Sequence, residues 1–256
     1  TGDYLVMCAK AEQIPNMIME IGRLREVSFR EVASGTNKST DLDQYDIYYH
    51  HLFVWDNKRQ QLVGAYRIGK GNDIVEKYGI QGFYTNSLFK MDKQLKPLLM
   101  KSIELGRSFI TKDYQKKALP LFLLWKGIFY FLLQNKECRY LIGPVSISNK
   151  LSKFSKSLIV SFVKSNYYDY ELTQYIKPRK QFKIPGKHMP EIECFLSEFK
   201  NDLSRVESII NELENNQHIP VLLKKYLSLN GKIIGFNVDP LFNDCLDGLI
   251  LLDYYN

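Results

Sequence analysis

Hydrophobic and polar positions change period several times along the first 150 residues. Over 14–31, apolar residues recur at roughly helical spacing and Pro15 falls in the first turn, which predicts a helix. Residues 45–55 and 61–68 are typical of two strands of a hairpin joined by a polar turn. A third strand is predicted over 102–110, a long helix over 113–135 and a short strand over 140–145. This alternation predicts a mixed α+β protein with an antiparallel sheet.

The second half of the chain predicts mainly helices. They cover 150–164, 203–213 and 221–229, and a late strand covers 232–238, whereas the Tyr-rich stretch 166–188 lacks a clear period and predicts an extended excursion. The longest apolar run, 119–133, contains Lys126 and is shorter than the roughly 20 residues of a spanning helix. It predicts a buried helix packed on the sheet, with membrane insertion as the alternative.

Three charged clusters stand on sequence that otherwise predicts apolar strand. They are the acidic run 41–46, Arg67 and the pair Glu104 and Arg107. Charges at strand positions lose solvation, so folds keep them there mainly when they are paired, and often because they do chemistry. The acidic run alone is equally typical of a solvated turn or helix cap. Together with the arginines it predicts a charged network between loop and sheet, whose role is either a substrate site or purely structural.

The charged pattern resembles a known family. Arg25-x-x-x-Phe29, Asp41-x-Asp43-x-x-Asp46, Arg67 and Glu104-x-x-Arg107 are similar to the acyl-homoserine-lactone synthases, in the acyl-carrier-protein-dependent branch of the GCN5-related N-acyltransferase (GNAT) fold. That family also has a Trp between the first Arg and the acidic run, whereas the nearest Trp here is Trp55. Longer stretches resemble instead the enzymes that N-acylate amino acids to make ornithine and glycine lipids, often filed as "putative hemolysin". Those stretches are 21–25, 51–56, 63–67, 124–127 and 143–148, and the tail stretches 220–226 and 236–240 also fit that group.

The resemblance implies a GNAT fold, in the α+β class, with a mixed and largely antiparallel sheet flanked by helices and a C-terminal extension. Residues 1–256 are expected to form one domain, with a core at about 14–150 and the basic excursion and last elements at 150–256. The implied activity moves a long, 3-hydroxylated acyl chain from acyl carrier protein to an amino acid's α-amine, giving a lyso-aminolipid in the cytoplasm. An acyl-homoserine-lactone synthase and a non-enzymatic, cytolytic membrane-surface protein are the alternatives.

Glu104, Arg67 and Arg107 are the predicted catalytic residues. An α-amine is largely protonated at neutral pH, and a buried carboxylate near the thioester can take its proton, so we expect Glu104 to act as general base. The alternative is a Glu104 that only pairs with an arginine. Gly106 sits where a strand bulge would expose backbone N–H groups to the reaction's oxyanion. The resemblance implies the following substrate-binding residues: Arg25, Phe29, Asp41, Asp43, Asp46, Trp55, Ser146 and Ser148.

The expected donor follows from a missing motif. Coenzyme-A-using GNAT enzymes carry a Gly-rich turn that cradles the pyrophosphate, and residues 110–117 contain no glycine. The acyl-phosphopantetheine of acyl carrier protein lacks that pyrophosphate and is the expected co-substrate, with no permanently bound cofactor and no metal.

The charge distribution bears on the expected partners. The chain carries a net charge of +7, and 148–188 holds nine bases against two carboxylates. This block is typical either of a surface that meets an acidic partner or of a solvated face. The acidic carrier is expected to dock on Lys112, Lys116, Lys150, Lys153 and Lys156. The other expected partners are the amino-acid acceptor and, peripherally, an anionic membrane, whereas nucleic acid is not expected.

Overall fold

A computed structural model of the chain describes residues 2–32, 35–215 and 217–255. Nine strands and ten α-helices lie in this part of the chain. The strands are β1 (Tyr4–Lys10), β2 (His50–Asp56), β3 (Gln61–Lys70), β4 (Phe89–Met91), β5 (Ser102–Ile110), β6 (Tyr140–Ile147), β7 (Ile176–Pro178), β8 (Lys232–Asp239) and β9 (Cys245–Asp253). The helices are α1 (Pro15–Glu31), α2 (Gly71–Tyr78), α3 (Thr85–Leu88), α4 (Lys96–Met100), α5 (Ala118–Gln134), α6 (Lys153–Asn166), α7 (Tyr170–Thr173), α8 (Met189–Phe199), α9 (Leu203–Leu213) and α10 (Val221–Ser228).

Seven strands form one sheet in the order β1-β2-β3-β5-β6-β9-β8, and β4 pairs with β7 apart from it. Neighbours in the large sheet are antiparallel except β5 and β6, which are parallel. A parallel pair needs a crossover, and α5 supplies it. The segment after residue 150 contributes β8 and β9 to this sheet, with β9 inserted between β6 and β8.

Several element predictions are confirmed and others are wrong. The structure has the predicted helix at 15–31, the hairpin, the strand at 102–110 and the helix at 203–213. The strand predicted from residue 45 begins at His50, because Asp43 caps a short 3₁₀ turn over Gln44–Ile47. The stretch 166–188 is not wholly extended, since it contains α7 and β7. The pattern also missed β1, α2, α3, α4, α8 and β9.

The sheet separates a large apolar core from a partly charged face. On one side, side chains such as Leu52, Ile103 and Val145 pack with α5, α6, α9 and α10. On the other side there are two smaller apolar clusters, one containing Phe53 and Ile21 and the other containing Ile142 with residues from α2, α3 and α4. Alternate strand residues point to opposite faces, so the charged residues of β3 and β5 project on this second side.

The helix α5 corrects the expectation of a fully buried helix. It packs on β1, β2 and β3, but five of its large apolar side chains are exposed: Leu119, Phe122, Phe129, Tyr130 and Leu133. Among the described residues, no helix is long and apolar enough to cross a membrane.

The strands β5 and β6 separate after a short pairing. Their register covers only Ser102–Glu104 against Tyr140–Ile142. Further along, β5 has a bulge in which Arg107 and Ser108 lie opposite one residue of β3, and Arg107 takes a φ of 51°. The bulge expected at Gly106 therefore falls on the next two residues. A Cβ on Gly106 would meet no heavy atom within 4 Å, so the chain leaves open space beside the point of separation.

Gly143→Ala tests this strand geometry. A Cβ at position 143 would lie 2.0 Å from the carbonyl oxygen of Leu105 on the adjacent strand, so β5 and β6 must shift apart. We expect a loss of about 2 kcal/mol or more in the free energy of unfolding, measured by urea denaturation. Gly106→Ala, where the space is open, is the matched control and should change stability by less than about 1 kcal/mol. A Gly143→Ala variant as stable as the parent would contradict the strand contact.

Candidate active site

Three arginines and three aspartates form a buried network between the helix α1, the loop before β2 and the central strands. The aspartates share the loop, and each arginine comes from a different element. The members are Arg25 of α1, Arg67 of β3, Arg107 of β5, and Asp41, Asp43 and Asp46 of the loop. The network predicted from the sequence is therefore present, with equal numbers of positive and negative side chains.

Arg25 holds the loop against α1. Its Nη1 and Nη2 donate to Oδ1 and Oδ2 of Asp46 at 3.1 and 2.9 Å, a two-point contact that fixes both planes. Its Nε lies 3.0 Å from Oδ2 of Asp41, and its Nη2 also donates to the backbone carbonyl of Asp41. Both aspartates and Arg25 are at most 3% exposed. Burial alone would raise the pKa of Asp46, but the charges of Arg67 and Arg25 outweigh it and hold that pKa well below its ordinary range.

Arg67 lies at the centre of an aromatic box. Its Nη1 donates to Oδ1 of Asp43 at 2.6 Å and lies 3.2 Å from Oδ2 of Asp46. Three tyrosine rings have their centroids 5.2–5.5 Å from the guanidinium carbon, close enough for cation–π attraction. They are Tyr45, Tyr49 and Tyr84.

Arg107 connects the network to the C-terminal strands. Its Nη2 and Nε lie 3.3 Å from carboxylate oxygens of Asp43 and Asp41, and its Nη1 donates to the Tyr84 hydroxyl at 3.1 Å. The ring of Phe242 covers the guanidinium, with 4.4 Å between carbon and centroid. The left-handed φ of Arg107 is one that non-glycine residues rarely adopt, and the bulge and these contacts hold it there.

The acidic run also caps a turn, as the alternative interpretation predicted, but Asp41 and Asp46 are buried and not solvated as that interpretation expected. Oδ1 of Asp43 accepts the Tyr45 N–H at 2.9 Å, and Oδ2 of Asp46 accepts the Asp43 N–H at 2.8 Å. The same carboxylates therefore fix the loop locally and bind arginines across the fold.

Glu104 lies apart from the arginine network, contrary to the expectation that Arg107 stands beside it. No arginine forms an ion pair with it within the described residues. Its Oε1 accepts the Thr85 N–H at 2.6 Å and the Thr85 hydroxyl, and its Oε2 accepts the Tyr84 N–H at 3.0 Å and the Tyr49 hydroxyl. Burial raises the pKa of Glu104, and these hydrogen bonds partly offset the rise. Four donors leave both carboxylate oxygens engaged.

Two further buried carboxylates, Asp247 and Asp239, were missed in the sequence analysis. In the sheet register Glu104 lies beside Ile142, four residues before Ser146, and Ser146 lies opposite Asp247. These side chains therefore project from one face. Asp247 is 4% exposed and its Oδ1 accepts the Ser146 hydroxyl at 2.6 Å. Burial raises the pKa of Asp247 to about 7, and the charge of Asp239 adds to the rise.

Asp239 connects Asp247 to the arginine network. It is 2% exposed on β8, and burial raises its pKa. Its Oδ2 lies 3.5 Å from the hydroxyl of Tyr84, the same hydroxyl that Arg107 reaches. In the sequence, Asp239 lies in the stretch 236–240 that resembles the aminolipid enzymes, and Asp247 lies in a strand that the pattern missed. Neither observation gave a reason to place these aspartates beside Arg107.

Of the other predicted substrate-binding residues, Phe29 lies near the arginine network, whereas Trp55 and Ser148 make contacts elsewhere. Phe29 reaches the network through an edge contact with Phe242, at 6.4 Å between ring centroids. Trp55 instead lines a cavity of about 320 Å³ beside α1, and none of the six network residues lines that cavity. The Ser148 hydroxyl accepts the Lys150 N–H at 3.1 Å, a local loop contact.

The five predicted docking lysines do not form one equivalent set. Lys112 and Lys150 both reach the end of α1, at the Glu31 carboxylate and the Glu31 carbonyl respectively. Lys116 and Lys153 are exposed. Lys156 is half-buried, donates to Asn149 Oδ1 at 2.6 Å, and has its pKa lowered by burial.

The topology and the separated central strands define a GNAT fold, as predicted, and the acetyltransferase (GNAT) domain family matches residues 24–125. The chain is 29% identical to the Glycine N(alpha)-acyltransferase of Phocaeicola vulgatus over 253 residues, which covers 93% of this chain and 76% of that protein. The Glycine N(alpha)-acyltransferase of Bacteroides thetaiotaomicron is also 29% identical, over 94% of this chain and 74% of its own length. Together these matches support an N-acyltransferase that acts on an amino group.

Two solved structures align with the chain at lower sequence identity than these relatives. The loading GNATL domain of CurA from Lyngbya majuscula gives a TM-score of 0.47 at 12% identity, covering 98% of both chains. The AHL synthase LasI gives a TM-score of 0.40 at 15% identity, covering 62% of this chain and 78% of its own.

Arg25→Met tests whether the network holds the fold. The variant removes the arginine that Asp41 and Asp46 share and leaves three carboxylates of the network facing two arginines. One negative charge at a buried site is then uncompensated, so we expect a loss of about 3–5 kcal/mol in the free energy of unfolding at pH 7. Arg23→Met, which removes an exposed 2.7 Å pair with Glu20 on the same helix, should cost less than about 1 kcal/mol. Urea denaturation of both variants measures the difference, and equal losses would contradict a stabilising role for the network.

Proposed function

We propose that the chain transfers an acyl group from the phosphopantetheine thioester of acyl carrier protein to the α-amine of an amino acid. Glycine is the first acceptor to test because both curated relatives bear that name. The observation that carries the proposal is the opening between β5 and β6, bordered by charged side chains on one sheet face. The resemblance of the sequence to aminolipid enzymes supports a long, 3-hydroxylated acyl chain and a lyso-aminolipid product.

In the proposed reaction the thioester carbonyl lies at the opening beside Gly106. The amine nitrogen attacks that carbonyl, a C–N bond forms, and the C–S bond breaks to release the phosphopantetheine sulfur. Backbone N–H groups at the bulge are candidates to stabilise the oxyanion, because the irregular pairing with β3 frees strand donors there. The ammonium must lose a proton before attack, and a second proton passes from the amine nitrogen to the departing sulfur.

Two buried carboxylates are candidates for the proton acceptor, and we favour Asp247 over Glu104, the general base expected from the sequence. A base needs a free lone pair within reach of the amine. Glu104 receives four hydrogen bonds, from Tyr49, Tyr84 and Thr85. Asp247 receives one within the described residues, from Ser146, whose own side chain is exposed to the second sheet face. A pKa near 7 also suits a base that works at neutral pH.

The donor preference rests on the junction between β5 and α5. Residues 111–117 form a 3₁₀ turn and a short link without glycine, and the helix begins at Ala118 with Pro120 in its first turn. A pyrophosphate cradle of the Gly-rich kind is not built by this sequence. Exposed Lys116 and Lys153, with Lys112 and Lys150 near Glu31, are proposed to meet the acidic carrier.

A donor and acceptor assay tests the proposed function. Purified protein is incubated with one 3-hydroxyacyl chain presented on acyl carrier protein or on coenzyme A, and with glycine, the other amino acids or S-adenosylmethionine. We expect N-acylated amino acid by mass spectrometry, with kcat/KM at least about tenfold higher for the carrier thioester. Equal values for the two donors would contradict the donor preference. A lactone from S-adenosylmethionine would identify an acyl-homoserine-lactone synthase instead, and no acyl transfer to any acceptor would overturn the function.

Comparing Asp247→Asn with Glu104→Gln tests the assignment of the base. With Asp247 as base, Asp247→Asn should lower kcat by roughly 10²–10⁴-fold and abolish its rise with pH near 7. Because the folded pKa of Asp247 is raised, deprotonation of this carboxyl destabilises the native protein as pH rises from about 4 to 7. The Asn variant lacks that contribution and should be more stable than the parent above pH 7.

Glu104→Gln should act mainly on stability, because its amide nitrogen would face a backbone N–H donor, that of Tyr84 or that of Thr85 according to which oxygen it replaces. A Glu104→Gln protein with parental stability and a 10²–10⁴-fold lower kcat, beside an active Asp247→Asn protein, would make Glu104 the base.

A further inference from the structure

The outer side of α5 carries an apolar stripe that the fold does not cover. Five large side chains of this helix are between 46% and 68% exposed: Leu119, Phe122, Phe129, Tyr130 and Leu133. At about 100° per residue they fall within an arc of about 100°, and at 1.5 Å per residue the stripe is about 21 Å long. Exposed apolar side chains scattered singly need no explanation, but five on one side of a single helix are typical of an interaction surface.

The opposite side of the same helix meets the core. Buried residues such as Leu124, Ile128 and Leu132 pack against the sheet, and Trp125 packs against Tyr226 of α10 with ring centroids 5.3 Å apart. Packing of the helix therefore does not require the outer residues to be apolar. A helix that needed only to fold would carry polar residues on its outer side.

The charged residues on α5 and directly beside its two ends are mostly positive. The helix contains no carboxylate, and its one charged residue, Lys126, is exposed within the stripe. Exposed Lys117 and Lys136 flank the two ends. The nearest acidic residue after the helix, Glu137, is already paired with Lys70 at 2.6 Å. An apolar stripe with bases and aromatic rings is the composition of helices that lie in the interface of an anionic membrane.

We propose that the outer face of α5 docks on the surface of an anionic lipid bilayer, with the helix parallel to the membrane plane. The stripe would enter the boundary between headgroups and acyl chains, and Lys126 would meet lipid phosphates. This inference does not depend on the chemistry proposed above.

Lys126 argues against a second copy of the chain as the occupant. It lies midway between Leu119 and Leu133, so a two-fold axis at the middle of the stripe would place two Lys126 side chains against each other. Like charges brought together in an apolar contact oppose association. An anionic bilayer instead presents phosphates to the same lysine, so charge complementarity favours the lipid surface.

Vesicle sedimentation tests the docking face with the whole chain. Phosphatidylcholine vesicles with 30% phosphatidylglycerol should bind the parent protein, and pure phosphatidylcholine vesicles should bind it several-fold less. A Phe122→Ser/Phe129→Ser/Leu133→Ser variant should lose at least about tenfold in partition coefficient, because each change removes apolar area from the membrane contact. Lys126→Glu should lower binding to the anionic vesicles only, and raised salt should remove that difference.

Met19→Ser/Leu213→Ser is the matched control, since it removes exposed apolar side chains from α1 and α9 and should leave vesicle binding unchanged. Thermal unfolding of each variant confirms that the fold is retained, and acyl transfer with water-soluble substrates, measured without vesicles, reports separately on the chemistry.

The proposal would be overturned if the triple variant bound vesicles as tightly as the parent, or if the parent did not bind anionic vesicles. A parent dimer that the triple variant dissociates in sedimentation velocity, without vesicle binding, would assign the face to a second copy. Vesicle binding by the parent that is lost in the triple variant but kept in the control supports the membrane surface.

Discussion

The buried ion-pair network is the constraint on which the charged face of the sheet depends. Three guanidinium groups can be buried in a protein of this size only if carboxylates replace the water they lose. The loop before β2 supplies those carboxylates, and Arg25 draws the loop onto α1 through Asp41 and Asp46. Arg67 and Arg107 then meet the same carboxylates from the sheet. The loop, the first helix and two strands are therefore fixed relative to one another by one set of charges.

Tyr84 relates this network to the chemistry proposed at the C-terminal strands. Its ring covers both Arg67 and Arg107, and its hydroxyl lies between Arg107 and Asp239. Its backbone N–H, with that of Thr85, binds Glu104. Glu104 thus fixes the segment that carries Tyr84, and Tyr84 positions Arg107 beside the opening. A carboxylate in this role can be indispensable without accepting a proton, which is why stability and turnover must be measured together.

The sequence was informative wherever one short stretch contained the relevant signal. Arg25, the acidic run, Arg67 and Arg107 were recognisable because charge stood out against an apolar pattern, and their pairing followed from the cost of burying charge alone. Asp247 and Asp239 were not recognisable in this way, because their setting depends on β9 inserting between β6 and β8. That strand order brings together residues about 100 positions apart in the sequence, as in the hydrogen bond between Ser146 and Asp247. Local periodicity carries no information about such pairings.

The helix α5 shows a second reason why the hydrophobic pattern did not predict the structure in full. Its sequence is apolar almost throughout, with Lys126 as the one charged residue, and such a run predicts a helix buried on nearly all sides. The sheet covers only one side, where α5 packs on β1, β2 and β3, and Trp125 packs against Tyr226 of α10. Exposed apolar side chains in excess of what the core buries are typical of an interaction surface. The position of Lys126 in the middle of the exposed stripe is the reason for proposing a negatively charged surface as the partner rather than another apolar helix.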